Sequence, residues 1–495
     1  MPSRRTHIAP RSARGSLTAA LTALREEFEV PDDFPADVLT EAETAAASGP
    51  AEAALDLRDV PFVTLDPPGS RDLDQAFHIE RSGHGFVLRY AIADVPAFVR
   101  PGGAVDAEAR RRGQTLYLPD GTVPLHPPVL SEDRASLLPG AERTAYVWTI
   151  PVDEHGLSGF EGSAAGPARV ERAVIRSRSR LDYVSAQRDL DAETAEEPLL
   201  RLREFGRLRI EQELRRGGAS LNLPDEEIVR DAHGYRIERR SPLAVEDWNA
   251  QLSLLAGMVA ARMMLDGGIG ILRTMPAAEE SALSEFRGRV AALGLPWDEA
   301  VDYGDYLRSV PRGTTQGMAV LHAASSLFRG ADYTVFGVRG QDGAPIAPPE
   351  RPEQAAIAAP YAHVTAPLRR LVDRWGLVIC ASLCAETPVP EWAVASLADL
   401  PALMRASSSR AGRLGAAALD RIEAALLHDR VGEALPATVL EVRGSRTRLQ
   451  IEDPPVTALG PAETPAGGAL KAGANTGVRV LRADVPSGEI ELTIA

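Results

Sequence analysis

The stretch Thr64-Leu-Asp66-Pro-Pro-Gly-Ser-Arg-Asp72-Leu-Asp74-Gln75-Ala76 constrains this chain more than any other, because it crowds three carboxylates into a turn that feeds a strand. Pro67-Pro68-Gly69 forces the backbone to reverse after Asp66. Asp72 and Asp74 are two apart, so in extended backbone they share a face. Crowded carboxylates repel each other and take up protons unless a cation compensates them. A hard divalent ion with oxygen ligands, Mg²⁺ or Mn²⁺, is the natural partner. Taken alone, such a run reads first as a solvated acidic turn, and the residues downstream are what turn the reading toward a metal site.

The next residues set its surroundings. Gln75-Ala-Phe77-His-Ile79-Glu-Arg and Phe86-Val-Leu88-Arg-Tyr90-Ala-Ile92-Ala-Asp94 alternate apolar and polar around Ser82 to Gly85, which reads as a β-hairpin. Antiparallel pairing about that turn brings Asp74 close to Ala93 and Asp94. Asp94 is then either a second support for the carboxylates or the residue that starts the next turn.

Four further segments occur in a distinctive order: Ala91-Ile-Ala-Asp94-Val-Pro through Tyr117-Leu-Pro-Asp-Gly; Leu130-Ser-Glu-Asp-Arg-Ala-Ser-Leu-Leu-Pro-Gly; Ile175-Arg-Ser-Arg-Ser-Arg180-Leu-Asp-Tyr183; and Tyr361-Ala-His-Val-Thr-Ala-Pro-Leu-Arg369-Arg370-Leu-Val-Asp373. Together they resemble the catalytic domain of the ribonuclease II family, 3′-to-5′ exoribonucleases, over roughly residues 56 to 425. The resemblance implies hydrolysis of single-stranded RNA to nucleoside 5′-monophosphates with a divalent metal, Mg²⁺ or Mn²⁺. It implies Asp66, Asp72, Asp74 and Gln75 as metal ligands, with Asp74 and Arg369 catalytic. Arg369 is assigned to the scissile phosphate, where an in-line displacement needs fixed positive charge. Tyr117 and Tyr183 would pack against the terminal nucleotides, and Arg370 would add to the RNA contacts. Arg176, Arg178 and Arg180, taken as alternating within one strand, would line one face as a phosphate track.

Several positions depart from the family pattern. Gln75 stands where the family has a second adjacent aspartate, which removes one negative charge from the site. Ala366 replaces a serine, Leu371 an aromatic, Ala250-Gln251 an acidic pair, and the late helix carries Gly415 to Asp420 where a glutamate is usual. These changes motivate an alternative, a catalytically impaired RNA-binding member of the same fold. A glycosyltransferase or phosphatase reading of D-x-D finds neither the strand–helix alternation nor a nucleotide-binding glycine loop.

At 495 residues the chain needs more than one unit. We expect an N-terminal arm with short helices over 1–55, a catalytic domain over 56–428 and a small β-barrel over 429–495. Met1 to Arg14 is basic and poor in acids, faintly like a transit peptide, and lacks the apolar core of a secretory signal; it reads as a flexible arm. Ser16 is placed to cap a helix bearing Leu17, Leu21, Leu24 and Phe28, ended by Pro31, with a second helix over 35–47. This small region stands where the family commonly has cold-shock-type barrels. Long helices are predicted over 200–214, 245–265, 279–293, 316–328, 368–384 and 406–427. Strands before about residue 175 and helices after it argue for an α+β fold, a mixed sheet with helices. Four short strands after Gly432 suggest an OB-type barrel. That barrel has no aromatic residue from Val431 onward, so it would guide RNA only through Arg443, Arg446, Arg448 and Arg479, or serve as a lid.

The net charge of −15 confines any RNA path to a local basic channel, and nearly all the cations are arginines, which suit forked phosphate contacts. We expect single-stranded RNA as the partner, no DNA and no membrane; no protein partner can be named. Cys380 and Cys384, four apart in an apolar stretch, read as core thiols rather than zinc ligands, which suits a reducing cytoplasm.

Overall fold

The computed structural model describes residues 13–495 apart from 32, 52, 54, 220–224, 232, 233, 241, 312, 313, 341, 452, 465 and 466. The basic arm read at the N-terminus thus lies outside the described residues. Nine strands and the first helices occupy the front of the chain: α1 (Arg14–Glu27), α2 (Ala36–Ser48), β1 (Leu55–Leu57), β2 (Val63–Asp66), β3 (Gln75–Ser82), β4 (Gly85–Ala93), α3 (Ala104–Arg112), β5 (Leu116–Leu118), β6 (Gly121–Val123), β7 (Glu142–Val152), β8 (Arg169–Arg176) and β9 (Ser179–Asp182). Helices follow: α4 (Tyr183–Asp191), α5 (Glu197–Arg216), α6 (Ala244–Gly267), α7 (Glu280–Ala292), α8 (Tyr303–Ser309), α9 (Thr315–Ala324), α10 (Asp373–Cys384), α11 (Glu391–Leu397) and α12 (Leu400–Leu427). The fold is α+β, as strand-first, helix-later patterning implies.

Seven strands form one sheet in the order β1-β8-β7-β4-β3-β2-β9, antiparallel except at its two ends. β1 pairs β8 and β2 pairs β9, both in parallel, and Arg178 N donates to Phe62 O across the join at 2.7 Å. Two consecutive strands therefore pair with two later consecutive strands, and the sheet curls until its ends meet. The β3–β4 hairpin turns at Ser82–Gly85, and Ala93 N donates to Asp74 O at 2.9 Å, as the alternation predicts. Trp148, Phe77 and Tyr90 of this sheet are buried beneath α5, α6 and α10, with Phe86 edge-on to Phe205 at 5.9 Å. Burying such aromatics supplies the main folding force, at about 25 cal/mol per Å² of apolar surface.

Some elements differ from expectation. Ser16 does not cap α1; the helix starts at Arg14 and Ala13 is its N-cap. The apolar spacing still holds, because Leu17, Leu21 and Leu24 pack on α12 and the C-terminal barrel. The helix predicted from residue 368 begins only at Asp373, since the preceding residues are held in turns by long-range hydrogen bonds. Arg176, Arg178 and Arg180 do not share a strand: Arg176 ends β8, Arg178 crosses the join, and Arg180 lies in β9. Tyr183 opens α4.

The barrel has five strands, Ala434–Arg443, Arg446–Ile451, Val456–Pro461, Asn475–Asp484 and Glu489–Ile494. The third had been hidden in a proline-rich stretch. They pair in the order third, second, first, fourth, fifth, with the third and fifth side by side, which nearly closes an OB-type barrel. Helices α7 to α9 form a separate module around Phe286, Trp297 and Tyr306. Cys380 is buried and Cys384 half-buried, both as free thiols.

Candidate active site

Asp66 ends β2, and the chain turns through Pro67 to Ser70, with Ser70 N donating to Pro67 O. Gly69 takes φ +86° here, a conformation that favours glycine. The return toward β3 is held by Ser136, whose Oγ accepts from Leu73 N at 3.0 Å and donates to Arg71 O at 2.6 Å. Ser136 was not singled out from sequence, since a lone serine carries no periodic signal.

The arginine segment reaches the same place from the far end of the chain and is fixed almost entirely through its backbone. Arg273 N donates to Tyr361 O and Ala362 N to Gly257 O, while Thr115 N donates to Arg369 O and Leu371 N to Gly113 O. Gly257 allows the approach: a Cβ there would lie 2.1 Å from Tyr361 Cε2. Ala366 N donates to Asp373 Oδ1 at 2.6 Å, so the main chain, not a serine side chain, holds this turn.

These two segments meet at Asp74. Its Oδ1 accepts from Leu368 N at 2.7 Å, and Arg369 Nε lies 3.4 Å from its Oδ2. Burial pushes the Asp74 carboxyl well above the usual carboxylate range, against the pull of Arg369 and the Leu368 amide. Burial likewise raises Asp66 to about 6, opposed by Arg369 and Arg180 and reinforced by Asp72. Oδ2 of Asp66 and Oδ2 of Asp74 are both buried with no hydrogen-bond donor. Two buried, undonated carboxylate oxygens beside a third aspartate suit a hard divalent cation in charge and donor type. The side chains do not yet converge: among the described residues no group of three or more His, Cys, Asp or Glu holds a common metal position.

Gln75 is placed differently from the ligand role expected of it. Its Oε1 accepts from Tyr90 Oη at 2.8 Å and its Nε2 donates to Thr365 O at 2.6 Å, with Tyr90 Oη also 2.7 Å from Ser253 Oγ. The amide ties the hairpin to α6 and to the arginine segment. Both of its ends are engaged, so the structure gives it a bracing role.

The remaining residues divide. Tyr117 is 61% exposed in β5, neither in the core nor closely held, and its Oη reaches Asp72 Oδ2 at 3.4 Å. With Gln114, Arg369, Arg370, Ala411 and Leu414 it lines a cavity of about 320 Å³. Tyr183 accepts at Oη from Asn249 Nδ2 at 3.0 Å, and burial together with nearby Asp66 raises its phenol to about 12. Arg180 is exposed, donates to Ser70 O at 3.0 Å and acts electrostatically on Asp66. Arg176 instead pairs with Glu142, and Arg178 donates to Arg58 O at 2.9 Å, so neither continues a line with Arg180. Arg370 forms a two-pronged bond with Asp373, 2.9 Å from Nε and 2.9 Å from Nη2, which leaves Arg369 as the arginine facing the carboxylates. Asp94, left open above, pairs with Arg172 at 2.7 Å. Of the other departures, Leu371 is core, Gln251 Nε2 donates to Glu213, and Ala418 packs in the barrel-side core.

The geometry defines an α+β domain with an acidic cleft faced by one arginine and joined to an OB-type barrel. The RNB domain model matches residues 54–376, and the model of the RNase II-type exonuclease C-terminal S1 domain matches residues 433–495. The chain belongs to the RNB family. Ribonuclease R of Escherichia coli (strain K12) is 30% identical over 383 residues, covering 72% of this chain and 44% of that protein. The chain thus spans less than half the length of this relative. Mycoplasma genitalium RNase R, solved in complex with ribose methylated single-stranded RNA, superposes with a TM-score of 0.84 at 18% identity, over 97% of this chain and 78% of that one. Yeast Ssd1, described as a pseudonuclease, gives a TM-score of 0.68 at 18% identity, over 84% and 52%. These two likenesses are of fold.

Proposed function

We propose that the chain is a divalent-metal-dependent exoribonuclease that removes nucleoside 5′-monophosphates from the 3′ end of single-stranded RNA. The observation that carries this is Arg369 beside Asp74, with Asp66 and Asp72 near enough to act on each other electrostatically and two carboxylate oxygens buried and undonated. Asp66, Asp72 and Asp74 would hold the metal, Mg²⁺ or Mn²⁺. When bound, it supplies an activated water and neutralises charge on the phosphate. Arg369, anchored through its own carbonyl to Thr115 and with 45% of its side chain exposed, presents fixed charge to the scissile phosphate. Tyr117 offers an exposed ring to the terminal bases, and Arg180 a phosphate contact at the edge of the cleft. The likeness to a protein named Ribonuclease R supports this reading.

A second reading, an RNA-binding member without turnover, is favoured by the engagement of Gln75 with Tyr90 and Thr365 and by the likeness to a pseudonuclease. End-labelled RNA incubated with Mg²⁺ or Mn²⁺, beside an Asp74→Asn variant, decides between them. Release of mononucleotides by the native chain alone supports the enzyme; RNA retention with no product supports the second reading.

A further inference from the structure

Tyr117 stands on a hairpin too short to hold itself. β5 and β6 are three residues each, joined by Pro119-Asp120, and an isolated two-stranded hairpin is marginal in water. Its base is tied to the arginine segment: Thr115 N donates to Arg369 O at 3.0 Å, and Leu125 N donates to Thr115 Oγ1 at 3.1 Å. Its tip is tied elsewhere. Arg25, in the last turn of α1, donates to both carboxylate oxygens of Asp120, from Nε at 3.0 Å and from Nη2 at 2.9 Å. Both side chains are mostly covered, 20% and 21% exposed. Period-two alternation sorts the faces of the hairpin. Leu116 and Val123, which pair across the strands, join Leu17, Leu21 and Leu24 of α1 and Leu414 of α12 in one apolar cluster. Tyr117 lies on the other face, with its Oη toward Asp72. α1 is itself seated on α12 by Arg413 over the Phe28 ring at 5.6 Å.

We propose that the Arg25–Asp120 pair is a positioning contact for the reaction: α1 fixes the tip of the β5–β6 hairpin and thereby the place of the Tyr117 ring, so that this helix sets how short an RNA end the cleft still holds. The proposal rests on RNA hydrolysis being the activity, and it deepens that reading by naming what governs the end product. Tyr117 lies between the two ties, Thr115 at the base and Asp120 at the tip. A hairpin released at its tip pivots about its base, and the ring then moves relative to Asp72 and Arg369. A forked guanidinium–carboxylate pair fixes direction as well as distance, which is what a positioning contact requires. A pair this close to the surface contributes little to overall stability, so its loss separates position from folding. Arg25 acts through the hairpin and is not itself a catalytic residue.

The test compares the native chain with Arg25→Ala, Asp120→Ala, Tyr117→Ala and Arg25→Ala/Tyr117→Ala, on end-labelled RNA of about 20 and about 5 nucleotides with Mg²⁺ or Mn²⁺. Loss of either partner of the pair should leave the rate on the long strand within about twofold, raise KM for the short strand roughly fivefold at unchanged kcat, and lengthen the end product. Once the ring is gone, Arg25→Ala should add nothing, since both changes act through one contact. An unchanged end product and short-strand KM, or an equal further loss in the Tyr117→Ala background, would overturn the positioning role. A second readout needs no hydrolysis: by fluorescence anisotropy in chelator, Arg25→Ala and Asp120→Ala should bind the short strand roughly fivefold more weakly than the native chain does and the long strand alike. A chain that cuts nothing with metal yet shows this length-selective loss keeps the positioning contact and loses only the catalytic reading. One that cuts nothing and shows no such loss gives up both.

Discussion

Two clefts of this molecule are built on different electrostatic plans. Beside the sheet, three aspartates stand with Arg369 and, at the edge, Arg180, and two carboxylate oxygens have no donor. At the barrel junction, arginines and carboxylates are interleaved: Arg289 pairs with Glu441 and Glu285, and Arg443 with Glu441, while Arg448 shares a pocket with Asp420 and Glu423. The first arrangement is short of positive charge and calls for a cation; the second is matched within itself and joins the barrel to the helices. The first also sits in buried surroundings, where charge acts strongly on reacting atoms. The second draws on partly exposed side chains, whose ion pairs are screened by salt. On the proposed reading, chemistry belongs with the first cleft.

The largest effect should come from Asp74→Asn. It keeps the shape that meets Leu368 N but removes the charge beside Arg369, and we expect hydrolysis to fall by about 10³-fold or more. RNA affinity in chelator should stay within about threefold, since phosphate contacts elsewhere carry it. Parallel loss of binding would place catalysis and RNA holding on the same group. Next in size, Arg369→Ala should lower kcat by roughly 10²–10³-fold with little change in KM, as for loss of a transition-state donor. Arg370→Ala should act on stability instead, because its guanidinium serves Asp373; thermal melts beside kinetics separate the two.

Tyr117→Ala tests where the sheet-side cleft ends. Stacking on an exposed ring is worth about 1–3 kcal/mol per base, so short oligomers should weaken by about 5- to 100-fold and digestion should stop at a longer product. Long RNA should be cut nearly as before. Sequencing gels read both, and an unaltered end product would remove Tyr117 from the RNA path.

How much of this was legible follows how local each signal is. The hairpin and the Asp74–Ala93 pairing were readable because period-two alternation about a glycine turn depends on adjacent residues alone. The arginines at 176, 178 and 180 alternate just as well, yet the chain changes from one end of the sheet to the other between them. Periodicity cannot report that break. Asp373 and Asp74 accept from Ala366 N and Leu368 N and pair with Arg370 and Arg369 respectively, contacts from distant or turn residues that helical spacing does not report. The barrel arginines could be picked out as strand residues, whereas Arg289 of α7 and Arg329, in the loop beyond α9, carry no local mark.

A pH experiment sharpens the cation-seeking character of the first cleft. Asp66 is raised to about 6 in the folded chain, chiefly by burial. Below the unfolded value near 4 the group is protonated in both states and costs nothing. As pH rises through about 6 the folded carboxyl must ionise in buried surroundings, so stability falls over that interval. Asp66→Asn should therefore stabilise the metal-free chain at pH 7.5 by about 2–3 kcal/mol and leave it unchanged near pH 4. Urea melts in chelator at the two pH values measure this; a gain equal at both would show that burial of the charge is not its cause.

The smallest expected change concerns Gln75 and metal affinity. Were it a ligand, replacing its amide oxygen by carbon would weaken binding sharply. In the structure that oxygen accepts from Tyr90 and the amide nitrogen donates to Thr365 O, so the residue braces the hairpin against the segment carrying Arg369. Gln75→Leu should leave Mn²⁺ affinity within about threefold while costing roughly 1–3 kcal/mol of stability, because Tyr90 and Thr365 each lose a partner. Tyr90 keeps Ser253, which places the loss toward the lower end. Calorimetric titration with Mn²⁺ beside urea melts separates the roles: a collapse of metal binding at unchanged stability would return Gln75 to the carboxylates and add a fourth oxygen to the cation site.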